Sequence, residues 1–435
     1  MKRTLRKQYR LLLPVAALAT ALAIGCGADT SQDPTRASPT GLSAIRKPDH
    51  GRIRTIDRYV PHISTVDANV GEHVGLFVRE RVRHDFHLDR EDDGEGEGPD
   101  EGAHRKAPLG VVLLIPGATQ SVTSVYDLPF EDYGWMAHLA EAGFDVFAMD
   151  LTGYGFSPRP QMDDPCNVSD DQQSLLIPNR PLAQKCPPSY AFKMAIQSDW
   201  DEIDRVVDYL RELRGVDRVS LMGWSRGGPR IGGYSARHPE KVEKLFLYSP
   251  AMYIRNGPSG PPKRLPEPGI LMQLATVDGF FSNWDRQLDQ VNCGTQFDPE
   301  IREALRFSLL ESDPVGSTWG TEDLWRAPVQ NTLWGWNASF ARQVKAPTLI
   351  MRGDLDVQAL EPQQRDLFAD LGADPSAPLV QKVFVRVACA GHQLLFENQH
   401  RVLLEASEEW LRDGTFAGHD RGSFFVDVKG HTQVE

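Results

Sequence analysis

The chain has 435 residues, 40% of them hydrophobic and 25% charged, with a formal net charge of −13. That length and apolar share suit one large buried core without obligatory disulfides or metals, and they exclude a disordered polymer. The excess of carboxylates excludes a general affinity for nucleic acid or other acidic polymers, because phosphate binding needs clustered Lys and Arg.

At the N-terminus, Lys2, Arg3, Arg6, Lys7 and Arg10 precede an uncharged apolar run over 11–24 that ends at Gly25-Cys26. A basic start followed by a short apolar stretch has the outline of a bacterial export signal, and the run is short for a bilayer span. The small residues before Cys26 resemble the lipobox of bacterial lipoproteins, with Ala23 where that motif usually has Leu. The resemblance implies a signal peptide over 1–25 and acylation of Cys26 as the mature N-terminus. An ordinary cleaved secretory peptide, leaving a secreted protein, fits the same charge and length. Loss of the five basic groups would take the formal charge from −13 to −18. Membrane attachment would then rest on acyl chains at Cys26 alone. Residues 26–50, rich in Ser, Thr, Pro, Asp and Gly, read as a flexible tether.

A core is expected over 51–249 and 345–415. Its first strands fall around Ile63 and over 74–82, where Leu76, Val78 and Val82 partly alternate, as at the antiparallel edge of a sheet. The acidic, Gly-rich run over 89–102 reads as a solvated loop and lacks the spacing of a calcium-binding loop. Short apolar runs follow at 111–115, 144–149, 219–222, 245–248, 348–351 and 383–387. Helical stretches separate them, such as 195–213 with Ile196, Trp200, Ile203, Val207 and Leu210 on one face. This alternation predicts an α/β fold with a mostly parallel, doubly wound sheet. The interval 250–344 is too long for a crossover and reads as an inserted helical lid. It holds five of the nine tryptophans, Trp284, Trp319, Trp325, Trp334 and Trp336, expected mostly to build its own core and in part to roof an apolar pocket. Residues 416–435 read as a C-terminal tail.

The chemistry centres on Gly223-Trp224-Ser225-Arg226-Gly227. A serine on a sharp strand-to-helix turn projects its hydroxyl, and glycines at both ends avoid the collisions that such a turn creates. The hydroxyl needs a base and the base an orienting acid, in chain order Ser, acid, His. Among twelve histidines, His392 follows the strand ending at Val387 within Ala390-Gly391-His392. His138, His400 and His419 read as surface residues. Gly353-Asp354-Leu355-Asp356 follows the strand over 348–351, which puts two carboxylates on the same sheet edge. Beyond Cys26, the cysteines are Cys166, Cys186, Cys293 and Cys389. Cys166 with Cys186 is the favoured pair, leaving Cys293 and Cys389 as a second, with free buried thiols as the alternative.

These motifs resemble the α/β-hydrolase superfamily in its lidded branch, over a stretch from about Val111 to Trp410. The acid-loop pattern of a Gly, two residues and then Asp matches Gly353 and Asp356, so the resemblance favours Asp356 over Asp354. Gly391-His392 matches the histidine loop, and Asp150-Leu-Thr-Gly153-Tyr-Gly155-Phe-Ser157 matches a glycine-rich loop of many members. An oxyanion hole is implied at the backbone amides of Arg226 and Ala118, with Thr119 as fallback. Pro116-Gly117-Ala118 departs from the His-Gly-X of many relatives. No metal or organic cofactor is expected, for want of ligand spacing or a phosphate loop. The expectation is a serine hydrolase that cleaves a small, apolar carboxylic ester through an acyl-enzyme. The alternatives are an exported aminopeptidase, with Glu311, Asp313, Glu322 and Asp323 available to a substrate amine, and a non-catalytic surface binding protein. The substrate's identity and the oligomeric state are not legible.

Overall fold

The structure, a computed structural model, describes residues 52–86, 107–176, 193–265, 272–328, 333–376 and 378–435. The expected signal peptide, the tether with Cys26, the acidic run and Cys186 lie outside these residues.

Strands β1 (Ile53–Ile63) and β2 (His73–Arg83) form an antiparallel hairpin. The five residues of β3 (Val111–Ile115) are all buried, which is why this strand has no polar alternation. Helices α1 (Val122–Tyr126) and α2 (Trp135–Ala142) return the chain to β4 (Asp145–Met149). Then come α3 (Ile196–Arg214), β5 (Val219–Trp224), α4 (Gly227–Arg237) and β6 (Val242–Tyr248). The long connection that follows holds β7 (Gln273–Thr276), α5 (Val277–Asp285), α6 (Gln290–Cys293), α7 (Pro299–Glu311), β8 (Leu324–Ala327) and α8 (Ala338–Ala341). The chain re-enters the sheet with β9 (Thr348–Gly353), α9 (Glu361–Asp370) and β10 (Lys382–Val387). It closes with α10 (His400–Asp413), β11 (Gly422–Val426) and β12 (Thr432–Val434).

The sheet runs β1-β2-β4-β3-β5-β6-β9-β10-β11-β12. From β4 to β11 every neighbouring pair is parallel, while β1 with β2, β2 with β4, and β11 with β12 are antiparallel. Side chains alternate between two cores, as the pleat requires. Val112, Leu114, Met222, Phe246 and Met351 face one core, closed by Trp135 of α2 and Trp410 of α10. Val111, Leu113, Leu221, Leu247 and Ile350 face the other, closed by Trp200 and Val207 of α3 and Ile231 of α4. A sheet wrapped on both faces leaves only its ends open, so loops at the strand C-termini are where a site can form.

Two expectations are corrected here. The residues read as a C-terminal tail include β11 and β12, which extend the sheet past β10. Phe424 and Val426 are buried there, in a strand too short to announce itself by alternation. His400, read as a surface residue, is buried at the start of α10. Its Nε2 lies 3.1 Å from Asp132 Oδ1, and its ring stacks on Tyr133 with centroids 3.9 Å apart. His419 is exposed and His138 half-buried beside Glu408.

Candidate active site

Ser225 sits between β5 and α4 with a backbone φ of +54°, a left-handed conformation that a non-glycine residue adopts at a cost. The surroundings fix it there: its N–H donates to the Tyr248 carbonyl at 2.9 Å, and its own carbonyl accepts from Gly228 and Ala251. The flanking glycines are required. A Cβ on Gly223 would stand 2.9 Å from the Gly227 backbone, and one on Gly227 would stand 3.0 Å from the Ile115 carbonyl.

The β9–α9 loop presents two carboxylates, and only one of them meets the histidine. Asp356 Oδ2 lies 2.9 Å from His392 Nδ1, both side chains being buried. Asp356 Oδ1 accepts from the amides of Gln358 and Ala359. Burial works against ionisation of Asp356, but the facing imidazole, the Ala359 amide and the Arg352 cation outweigh it and hold the carboxyl below its ordinary range. Burial pushes the Asp354 carboxyl up instead, and it does not engage His392.

His392 is tied to the Ser225 turn through Trp224. The Trp224 indole donates to the His392 carbonyl at 3.0 Å, and its ring lies 5.5 Å from the imidazole, centroid to centroid. The Tyr248 hydroxyl donates to the same carbonyl at 2.7 Å, and Trp224 stacks on Tyr248.

The rest of the histidine loop is held by the β6–β9 connection. The His392 N–H donates to Gln287 Oε1 at 2.9 Å, and Gln296 Nε2 donates to the Cys389 carbonyl at 2.8 Å. A disulfide joins Cys293 to Cys389, three residues before His392. Glu397, fully buried, accepts from the Gly391 N–H and from the Trp284 indole, each at 2.8 Å. Burial pushes its carboxyl up to about 8, even though those two donors pull the other way. Cys166 is also disulfide-bonded, and its expected partner Cys186 lies outside the described residues.

Gly117 packs against the Ser225 turn, its Cβ position being 3.4 Å from Ser225 Cβ. The carbonyls of Pro116 and Gly117 both accept from Nη1 of buried Arg230, at 2.8 and 2.7 Å. In a trans peptide the N–H points opposite to the carbonyl, so the Gly117 bond to Arg230 aims the Ala118 N–H away from Arg230. Asp199, 2.9 Å from Arg230 Nε, balances the buried cation. Thr119 is left-handed at φ +70°, and its carbonyl accepts from the Trp325 indole of β8 at 2.8 Å. Among the described residues, the amides of Ala118 and Thr119 meet no acceptor within the protein, which leaves both available to a developing oxyanion. The Arg226 amide lies at the N-terminus of α4, where backbone donors favour negative charge.

In the glycine-rich loop, buried Asp150 accepts from the amides of Val122 and Phe156. Burial raises its carboxyl to about 6. Asp150 braces a loop and does not enter the Ser, Asp, His constellation. The roles of Trp224, Arg230, Gln287 and Glu397 were missed in the sequence, while Trp325 was named there only among the tryptophans of 250–344. Trp224 and Arg230 lie in or just after the serine motif, whereas Gln287 and Glu397 carry no local signal.

A cavity of about 390 Å³ opens beside Thr119 and Gln120, walled by β7, α5 and Trp325. Trp325 and Phe280 line it, but so do Gln120, Gln273, Asn283 and Glu322, so the lining is mixed and not the apolar one expected. A larger cavity of about 750 Å³ lies at the opposite sheet edge, against Gly110, Arg218 and Lys244 near the starts of the strands, away from this chemistry. Among the described residues no cluster of three or more His, Cys, Asp and Glu side chains could hold a metal. Nor is any helix among them long and apolar enough to cross a membrane.

A mostly parallel, doubly wound sheet with Ser225, Asp356 and His392 on loops after β5, β9 and β10 defines the α/β-hydrolase architecture. A family model described as the alpha/beta hydrolase fold matches residues 110–399, and the chain belongs to that family. Solved structures similar to it include a serine hydrolase involved in carbazole degradation, 16% identical with a TM-score of 0.45, covering 82% of this chain and 99% of that one. An esterase from Thermogutta terrifontis is 17% identical with a TM-score of 0.44, over 82% and 98% of the two chains. A monoacylglycerol lipase from Paleococcus ferrophilus is 18% identical with a TM-score of 0.40, over 71% and 96%. The chain is also 58% identical over 43 residues to the poly(3-hydroxyalkanoate) polymerase subunit PhaC of Allochromatium vinosum. That match spans 10% of this chain and 12% of the relative's length.

Proposed function

We propose that this chain is a serine hydrolase that cleaves a carboxylic ester through an acyl-enzyme. The observation that carries the reading is the buried Asp356–His392 pair, 2.9 Å apart, whose backbone is joined through Trp224 to the strained turn at Ser225. His392 takes the Ser225 proton as Oγ attacks the ester carbonyl, and Asp356 stabilises the imidazolium that forms. The oxyanion is received by the amide of Arg226 together with that of Ala118 or Thr119. His392 then returns the proton to the leaving alcohol, and a water activated by the same imidazole releases the acid.

The β6–β9 connection serves in this reading as a lid over the substrate. Export, with acylation at Cys26, remains part of the proposal and is supported by the sequence alone. The aminopeptidase alternative is less well supported, because two of the lid carboxylates it needs are occupied: Asp313 by Arg326 and Arg159, and Asp323 by Arg306. Parallel assays of short p-nitrophenyl esters and aminoacyl-p-nitroanilides separate the two. Ester turnover at least about a hundred-fold faster, a gap of about 2.7 kcal/mol in barrier, is the expected outcome. Faster anilide turnover would replace the ester reading with the aminopeptidase one.

A further inference from the structure

The cavity beside Thr119 is bounded by two structures that lead to the Ser225 and His392 loops. One is the oxyanion loop, through Thr119 and Gln120; the other is α5, which contributes Phe280 and Asn283 and leads into Gln287, the residue that holds the His392 N–H. Because Thr119 lines the cavity, the cavity adjoins the loop whose amides would receive the oxyanion.

Its chemistry can be read from what its side chains have left unpaired. Among the described residues, the Gln273 amide and the Glu322 carboxylate make no hydrogen bond, and Gln120 uses only its Nε2, on Thr119 Oγ1. Asn283 uses only its Oδ1, which accepts from Arg286. Donors and acceptors therefore face a cavity floored by Phe280 and Trp325. Covering these groups with a plain alkyl chain would strip water from them without replacing their hydrogen bonds, which is unfavourable. A carboxylate would meet Glu322, the one ionisable side chain among the described residues of the lining. Glu322 is also exposed, so its attraction for a cation is screened by solvent.

We propose that this cavity binds an uncharged polar part of the substrate, bearing a hydroxyl or an amide, and that Gln273 and Glu322 determine the preference. The inference rests on the serine-hydrolase reading and adds the substrate class to it.

The test is kcat/KM in two ester series. One varies the acyl group at a fixed p-nitrophenyl leaving group: butanoyl, hydroxybutanoyl, and a trimethylammonio-acyl group. The other varies the alcohol at a fixed acetyl group: propyl against hydroxypropyl. In at least one series the hydroxylated ester is expected to be favoured by about ten-fold or more, and the cation is not expected to exceed it. Gln273→Leu should shrink that ratio to within about three-fold. Exposed Glu322→Leu, which does not endanger folding, should also reduce it. Equal or better turnover of the alkyl esters in both series, preference for the cation, or a ratio unmoved by both variants would overturn the proposal. If no ester is cleaved and a fluorophosphonate leaves Ser225 unlabelled, the hydrolase reading itself fails and takes this one with it. Labelled Ser225 with no polar preference removes only the proposal made here.

Discussion

Ser225 and His392 are held in different ways. Every backbone partner of Ser225 belongs to the turn itself or to β6 and the residues just after it, as with Tyr248, Gly228 and Ala251. The histidine loop touches that same core through Trp224 and Tyr248, but its N–H, the neighbouring Gly391 and the preceding Cys389 are gripped by Gln287, Trp284, Gln296 and Cys293 of the β6–β9 connection. Glu397 joins Trp284 to Gly391. Ser225 is thus held by the core fold alone, whereas the His392 loop depends on the β6–β9 connection as well. With four such ties at the histidine loop and a fifth from Trp325 to Thr119, the β6–β9 connection braces the loops that carry His392 and Thr119.

The comparison can be broken at three strengths. Loss of the proposed base, His392→Ala, should lower kcat by about 10⁶-fold with little change in unfolding temperature, measured by steady-state kinetics and thermal melts. Next comes the covalent tie. Replacing Cys293 and Cys389 together with Ser should cost about 2–5 kcal/mol of stability in denaturant titration, since the bridge spans 96 residues. If the brace matters to the base, activity per folded molecule should fall as well.

The smallest effect is expected at Glu397. Its carboxyl titrates near 8 in the fold against an ordinary value near 4.5, so the folded state binds the proton more tightly. The stability this provides is complete below about pH 4.5 and is lost as pH rises through about 8. Glu397→Gln should remove that slope, with a deficit of about 1–3 kcal/mol near pH 5 that shrinks as pH rises and reverses by about pH 8. Melting temperature across that range, in both proteins, is the measurement. Parallel curves would mean that Glu397 does not titrate as described.

The same division explains what the sequence made legible. Val111–Ile115 and its fellow strands read clearly because central parallel strands are buried on both faces and so appear as unbroken apolar runs. The Ser225 turn read clearly because its constraints lie within five residues. Asp356 was separable from Asp354 only by resemblance, and its bond to His392 now gives a physical reason. Gln287 and Glu397 were invisible because each meets its partner after folding, Gln287 reaching His392 across 105 residues and Trp284 reaching Glu397 across 113. His400 was misread for the same reason, since its burial depends on Asp132 and Tyr133, far back in the chain.

The central claim is that Ser225 is the nucleophile. It is tested most directly by treating the folded protein and its Ser225→Ala variant with a fluorophosphonate and mapping the adduct by peptide mass spectrometry. The account predicts one phosphonylated site, Ser225, in the parent protein, with no labelling of the variant. An unlabelled parent, or a variant labelled to the same extent, would contradict it.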